Sequence, residues 1–263
     1  MDVAAHVGAL DRDGRLLAAT AERAGLAVSV PSCPGWQVRD LLRHQGYVHR
    51  WATRYVAEGL LAAVPGATEA EILAGGPPEA ELLSWFRAGH AGLVAALTAA
   101  DRDLTCWTFL PAPSPRAFWA RRQAHETAIH RVDAELAAGA PVSTVGAEFA
   151  ADGIDELIMG FFGRDHLELS EDEQRAGSRR TVAVRAIDCG AGGDWLLELT
   201  EDGTRAATVR RGGGVADCAL AGPAEGLYLT LWNRAEPAAA GVTVSGDETV
   251  LGAWRGGMRV TWA

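Results

Sequence analysis

The sequence predicts a two-domain protein, an N-terminal four-helix bundle followed by a small α+β domain. Four long segments carry apolar residues at helical spacing and are separated by breaks rich in Pro and Gly. A charged stretch follows Phe162, and beyond it the apolar residues alternate with a period of two. These observations predict a bundle over 1–164, a linker over 165–180 and an α+β domain over 181–263.

The helices of the bundle are delimited by residues that start or stop helices. Gly25 and the run from Pro31 to Gly35 interrupt the helical pattern, and Pro77 and Pro115 suit a first helical turn. The predicted helices are Asp2–Ala24, Trp36–Leu61, Pro77–Ala100 and Pro115–Ala138, with a fifth from Val145 to Phe162.

The C-terminal part is predicted to mix strands and helices. Short apolar segments with period-two spacing are separated by Gly-rich turns, which is typical of strands. The predicted strands are 181–189, 195–200, 204–210, 215–220 and 242–245, and the predicted helices are 223–234 and 247–255.

Composition and charge exclude several classes of function. The 263 residues are 48% hydrophobic, which is enough to fill a core. A formal net charge of -10 gives no basic surface for nucleic acid or anionic membrane. With no apolar run long enough to span a bilayer and no signal-peptide pattern, we expect a cytoplasmic protein. The four Cys are far apart in sequence and are expected to be free thiols.

Glu126 and His130 are the most informative pair in the chain. They are four residues apart in a predicted helix, so a carboxylate and an imidazole lie one turn apart on nearly the same face. Both groups suit Zn²⁺ or Fe²⁺, but two ligands do not hold a metal, and a third must come from elsewhere. The alternative is an exposed helix-surface pair.

The second predicted helix offers a third ligand, His44. This histidine lies beside an apolar stripe that includes Val38, Leu41 and Val48. A histidine in that position is either a metal ligand or a structural residue with its hydrogen bonds satisfied inside the core. Its position alone does not decide between the two.

Two motifs in this order resemble a known family. The first is W-x-V-x-D-L-x-x-H from Trp36 to His44, and the second is H-E-x-x-x-H-R-x-D-A-E from His125 to Glu135. Together they resemble the mycothiol-dependent maleylpyruvate isomerase family, within the DinB-like superfamily. The resemblance implies a DinB-like bundle with a small sterol-carrier-like α+β domain, and it implies that His44, Glu126 and His130 are the metal ligands and the catalytic site.

Neighbouring residues are candidates for supporting roles. Asp40 and Asp133 lie on the faces of His44 and His130, where either carboxylate can receive the second imidazole N–H. Asp40 equally suits dipole compensation in the first turn of a helix. Arg122 either binds a substrate carboxylate or pairs with Glu126. Gln37 and Val132 depart from the family pattern without touching the ligands.

The resemblance implies a metal-dependent reaction with mycothiol as thiol cosubstrate. A thiol coordinated to Zn²⁺ is deprotonated, and the thiolate attacks a small-molecule electrophile, which is then isomerised or conjugated. Fe²⁺ on the same three residues is the alternative metal, for oxygen chemistry. A different class of function is a non-catalytic module that binds an apolar ligand. The expected oligomeric state is a monomer or homodimer.

Overall fold

The computed structural model describes residues 1–164, 179–200 and 205–257. It divides into two compact units, the first formed by Met1–Ser143 and the second beginning at Thr144. Among the described residues, no helix has both the length and the apolar character that crossing a membrane requires.

The first unit is a bundle of four long helices, as predicted. α1 lies against α4 and α5, and α2 lies against the same two helices. A short additional helix, α3, was not predicted. The bounds are α1 Val3–Ala24, α2 Val38–Glu58, α3 Glu69–Ala74, α4 Glu79–Ala99 and α5 Pro115–Ala137.

The helix ends follow from capping residues in the sequence. The side chain of Asp2 accepts a hydrogen bond from Ala5 N at the start of α1, and Ser114 accepts one from Ala117 N at the start of α5. Thr68 and Glu71 form a capping box at the start of α3. The spacing of Thr68 and Glu71 was therefore a readable sign of α3.

The bundle core is apolar and closely packed at one end. The α1–α2 loop contributes Val30 to this core, and Cys33 and Trp36 pack against it. This contact anchors a loop that lies next to the candidate site. Large core side chains are Leu17, Val38, Leu41, Leu42, Leu82 and Phe86.

The second unit combines helices with a five-stranded sheet. α6 (Ala147–Asp155) continues as a π-helical segment, Glu156–Phe162. The strands are β1 Arg180–Ala186, β2 Asp194–Leu199, β3 Ala206–Arg211, β4 Cys218–Gly222 and β5 Thr243–Gly246, and the later helices are α7 Ala224–Leu231 and α8 Thr249–Gly257.

The sheet has the strand order β3-β2-β1-β4-β5. β1 pairs with β4 in parallel, and the other neighbours are antiparallel. Asp155 joins the helical segment to the sheet, because it accepts hydrogen bonds from Trp195 Nε1 at 3.1 Å and from Arg211 at 2.7 Å. The predicted class, a helical bundle followed by a small α+β domain, is confirmed.

The residue limits predicted for the two domains are harder to compare with the structure than the fold class is. The predicted fifth helix packs with the second unit, through α6 and α7, whereas the prediction placed it in the first domain. The domain limits 1–164 and 181–263 stay a prediction. Of the predicted linker, residues 165–178 lie outside the described residues.

Candidate metal centre

Two helices of the bundle bring the predicted ligands together. α2 carries His44, and α5 carries Glu126 and His130 one turn apart. His44 Nε2 lies 3.3 Å from Glu126 Oε1, and His130 Nε2 lies 3.3 Å from the same oxygen. One ligand atom from each residue lies within 4.8 Å of the other two.

These side chains are largely withdrawn from solvent. Those of His44, Glu126 and His130 are 6%, 19% and 11% exposed. An exposed Glu–His pair would show much higher values.

The separations between the donor atoms fit a metal site as well as long hydrogen bonds. A distance of 3.3 Å is long for a hydrogen bond between an imidazole and a carboxylate. A tetrahedral zinc site with bonds of about 2.0 to 2.1 Å places neighbouring ligand atoms about 3.3 to 3.4 Å apart. Two nitrogens and one carboxylate oxygen are also donors that zinc and iron prefer. The residues present therefore fit a divalent transition metal.

Arg122 fixes the second oxygen of Glu126. Its Nη2 donates to Glu126 Oε2 at 2.8 Å, which leaves Oε1 to face the histidines. Burial raises the pKa of Glu126, but hydrogen bonds with His130 and His44 and the charge of Arg122 outweigh it and hold the pKa well below its usual range. Glu126 is thus a carboxylate, the form that ligates a metal.

Asp133 holds the other nitrogen of His130. His130 Nδ1 lies 2.8 Å from Asp133 Oδ2, and this contact leaves Nε2 directed at Glu126. Burial lowers the pKa of His130, but hydrogen bonds with Asp133 and Glu126 outweigh burial and raise it to about 9. The pocket around this imidazole therefore favours a positive charge.

Comparisons with known proteins agree with the two units. The family model described as the mycothiol maleylpyruvate isomerase N-terminal domain matches residues 2–135, and the model of the C-terminal domain of that family matches residues 148–253. The chain belongs to the mycothiol maleylpyruvate isomerase family. A comparison with curated proteins gave no match.

Solved structures show the same fold. The chain is similar to the crystal structure of the mycothiol-dependent maleylpyruvate isomerase, with a TM-score of 0.61 and 13% identity over 93% of each chain. A mutant of that isomerase gives a TM-score of 0.61 and 12% identity, again over 93% of each chain. At this identity the likeness establishes the fold and leaves the reaction to other evidence.

Asp40, the other predicted supporting residue, lies at the start of α2. It accepts a hydrogen bond from Gln37 N at 2.9 Å and contacts the guanidinium of Arg43 at 3.5 Å. These are the contacts of a residue that caps a helix, and they lie in the first turn, where the alternative raised from the sequence was compensation of the helix dipole. The two residues that depart from the family pattern also have structural roles. Gln37 accepts a hydrogen bond from Arg39, and Val132 is buried.

The α1–α2 loop contributes residues that were not predicted to belong to the site. Trp36 lies over both imidazoles, with its ring centroid 5.1 Å from that of His44 and 6.2 Å from that of His130. Ser32 and Cys33 contact Asp133. Trp36 was part of the family motif, which was a signal for its proximity, whereas Ser32 and Cys33 had none.

Proposed function

We propose that this family member is a zinc-dependent enzyme that uses mycothiol as a thiol cosubstrate to isomerise or conjugate an electrophilic small molecule. The observation that carries the proposal is the convergence of two imidazole Nε2 atoms on one oxygen of Glu126, each at 3.3 Å. The family to which the chain belongs supports the choice of thiol.

His44, Glu126 and His130 would hold the metal. A zinc ion bound there supplies a Lewis acid that deprotonates a coordinated thiol at neutral pH. Three protein ligands leave a position open, as catalytic zinc sites do and closed structural sites do not. Arg122 and Asp133 keep the donor atoms of Glu126 and His130 directed at the place where the metal would bind.

The charges around the site favour an anionic ligand. With both histidines neutral, as metal ligation requires, Glu126 and Asp133 bring two negative charges and Arg122 one positive charge, so the protein groups sum to −1. A divalent cation changes this sum to +1. Because a residual positive charge in a largely buried pocket is stabilised by an anion, the site suits a thiolate better than a neutral ligand.

Isomerisation and conjugation are distinguished by the fate of the thiol. An isomerase regenerates the thiol, so free thiol stays constant while the absorbance of the substrate double bond changes. A transferase consumes one thiol for each molecule of product. Monitoring free thiol and substrate absorbance together, with mycothiol and an activated cis-alkene, separates the two reactions.

The proposal is tested by comparing H44Q with wild type. We expect wild-type protein to hold about one zinc per chain and to turn over with mycothiol, and we expect H44Q to lose both. H90Q is the matched control, because His90 is a buried histidine of α4 whose Nε2 donates to Leu10 O at 3.1 Å and which is not one of the three ligands. H90Q should keep its zinc and its turnover.

Other outcomes would contradict the proposal. Iron without zinc after anaerobic purification would favour oxygen chemistry on the same residues. An H44Q protein that melts at lower temperature, with no thiol-dependent reaction in wild type or variant, would favour a non-catalytic ligand-binding module. The predicted cytoplasmic location and the monomeric or homodimeric state stay predictions.

A further inference from the structure

The carboxylate of Asp133 contacts the side chains of Ser32, Cys33 and His130. It is fully buried, and its Oδ2 lies 2.8 Å from His130 Nδ1. Ser32 Oγ donates to Oδ1 at 2.5 Å, and Cys33 Sγ donates to Oδ2 at 3.5 Å. Both carboxylate oxygens are therefore in contact with a side chain of the α1–α2 loop.

The loop itself is held in place. Val30 N donates to Trp36 O at 2.9 Å, Cys33 N to Val30 O at 3.1 Å and Trp36 N to Cys33 O at 3.0 Å. Ser29 and Gln37 form a bridge across its base, and Val30 is buried in the bundle core. A loop closed by its own backbone hydrogen bonds and anchored in the core presents Ser32 and Cys33 at fixed positions.

A fixed donor on Asp133 matters for the metal ligand beyond it. A carboxylate held only by one imidazole can rotate about its side-chain bonds, and the imidazole then turns with it. With Ser32 on one oxygen and His130 on the other, the carboxylate plane is set, and so are the ring orientation and tautomer of His130. The loop thus reaches the metal site through a Ser–Asp–His chain.

We propose that Ser32, supported by Cys33, is a positioning residue of the metal centre, which acts on His130 through Asp133. The inference deepens the proposed function and rests on it, since it concerns how tightly the site holds its metal. Ser32 contacts Asp133, which in turn contacts the proposed ligand His130. Its effect should appear in metal affinity.

The experiment measures zinc affinity by competition with a chromophoric chelator in wild type and in S32A, S32T, C33A, D133N and the double variant S32A/D133N. D133N should lose about 10- to 100-fold in affinity, as expected for a partner of a ligating histidine. S32A should lose less zinc affinity, about three- to tenfold, because Ser32 is one residue further from the metal than Asp133. S32T keeps the hydroxyl and should stay within about twofold of wild type.

The double variant S32A/D133N tests whether Ser32 acts on His130 through Asp133. If Ser32 acts through Asp133, removing Ser32 in the D133N background should cost no further affinity, and the two losses will be non-additive. S114A is the matched control for stability. Ser114 caps α5, the helix that carries Glu126 and His130, so S114A should lower the melting temperature and leave zinc affinity unchanged.

Three results would overturn the inference. Equal zinc affinity in S32A and wild type would do so, as would losses that simply add in the double variant. A third is a loss in C33A that exceeds the loss in S32A, because Cys33, His130 and Asp133 also bring ligand atoms within 4.8 Å of one another. That result would make Cys33 a metal ligand. Wild-type protein that binds no zinc would instead overturn the proposed function together with the inference.

Discussion

Single residues in the bundle show how charge is accommodated in an apolar interior. Arg131, Asp13 and Glu135 are all buried, and Arg131 contacts both carboxylates, at 3.5 Å and 2.6 Å respectively. Ser143 adds two hydrogen bonds to Glu135, from its N at 3.0 Å and its Oγ at 2.6 Å. Since an unpaired buried charge is costly, the network is stable only while all its members are present.

Replacing Arg131 with Met should therefore destabilise the protein. The change keeps most of the volume but removes the buried cation that lies 2.6 Å from Glu135 and 3.5 Å from Asp13, and we expect a loss of about 3 kcal/mol in the free energy of unfolding. Arg12 and Ser143 still contact these carboxylates, which places the loss at the lower end of the usual range. Urea denaturation measures it.

R15M is the control for this prediction. Arg15 pairs with Asp11 on the same bundle, but its side chain is 75% exposed. An exposed pair contributes at most about 1 kcal/mol. Equal losses in R131M and R15M would show that the buried network does not carry the stability assigned to it.

His49 is a buried histidine whose protonation opposes folding. Its Nε2 lies 2.9 Å from Thr127 Oγ1 and 2.9 Å from Gln45 Nε2. Burial lowers the pKa of His49 well below its ordinary value, and the charges of His90, Arg50 and His130 lower it further. The charge of Glu126 acts in the opposite direction but does not outweigh them. The folded protein therefore keeps this imidazole neutral in weak acid.

The sign of the pH dependence follows from this lowered pKa. As the pH falls below about 6.5, the unfolded chain takes up a proton at His49 before the folded protein does, so stability is lost towards acid pH. H49Q removes this titration. Between pH 7 and pH 5, metal-free H49Q should lose about 1 to 2 kcal/mol less unfolding free energy than metal-free wild type. Parallel stability curves in urea denaturation would contradict the assignment.

The helices approach closely where glycine leaves room for a neighbour. A Cβ at Gly14 of α1 would overlap the ring of His90 on α4, and one at Gly46 of α2 would overlap the ring of Trp85, also on α4. Trp85 is in turn covered by Arg50, whose guanidinium carbon lies 3.9 Å from the ring centroid. These contacts set the positions of α1 and α2 against α4.

Substitution of two glycines on α1 separates packing from helix propensity. G14A should destabilise the protein by about 1 to 3 kcal/mol, because the buried His90 ring must move. G8A should stabilise it by about 0.5 to 1 kcal/mol, because Gly8 has open space around it and alanine favours the helix. Thermal denaturation of both variants checks the sign, and stabilisation by G14A would show that α1 and α4 do not pack closely at this point.

At the level of elements, the sequence predicted much of this architecture. Periodicity with Pro, Gly and capping residues located the four long helices within about three residues of their observed ends. The parallel pairing of β1 with β4 was not predictable, because it joins strands separated by two others in sequence. The π-helical segment Glu156–Phe162 had no signal in the sequence either.

For the site, the sequence predicted which residues share a face of one helix, but not which residues of distant segments come into contact. The spacing of Glu126 and His130 followed from helix geometry, and His44 followed from the family motif. The structure brings the three together, and their role as ligands stays a proposal. Ser32 lies 101 positions from Asp133, and no local pattern reports such a contact.

The whole molecule combines a bundle unit that contains the candidate metal centre with a second unit built on a mixed sheet. Both units match models of one family, although the identity to the solved isomerase is 13%. Since a likeness at this identity establishes the fold alone, the metal centre is the part from which the reaction is inferred. The central claim is that this centre binds a metal with an open position for a thiolate.

X-ray absorption at the zinc edge tests this claim most directly. Zinc-loaded protein should show only nitrogen and oxygen neighbours at about 2.0 to 2.2 Å, and adding mycothiol should introduce one sulfur at about 2.3 Å. The same experiment on H44Q should show neither the site nor the added sulfur. A zinc shell that gains no sulfur from the thiol, or that already contains sulfur before the thiol is added, would contradict the account.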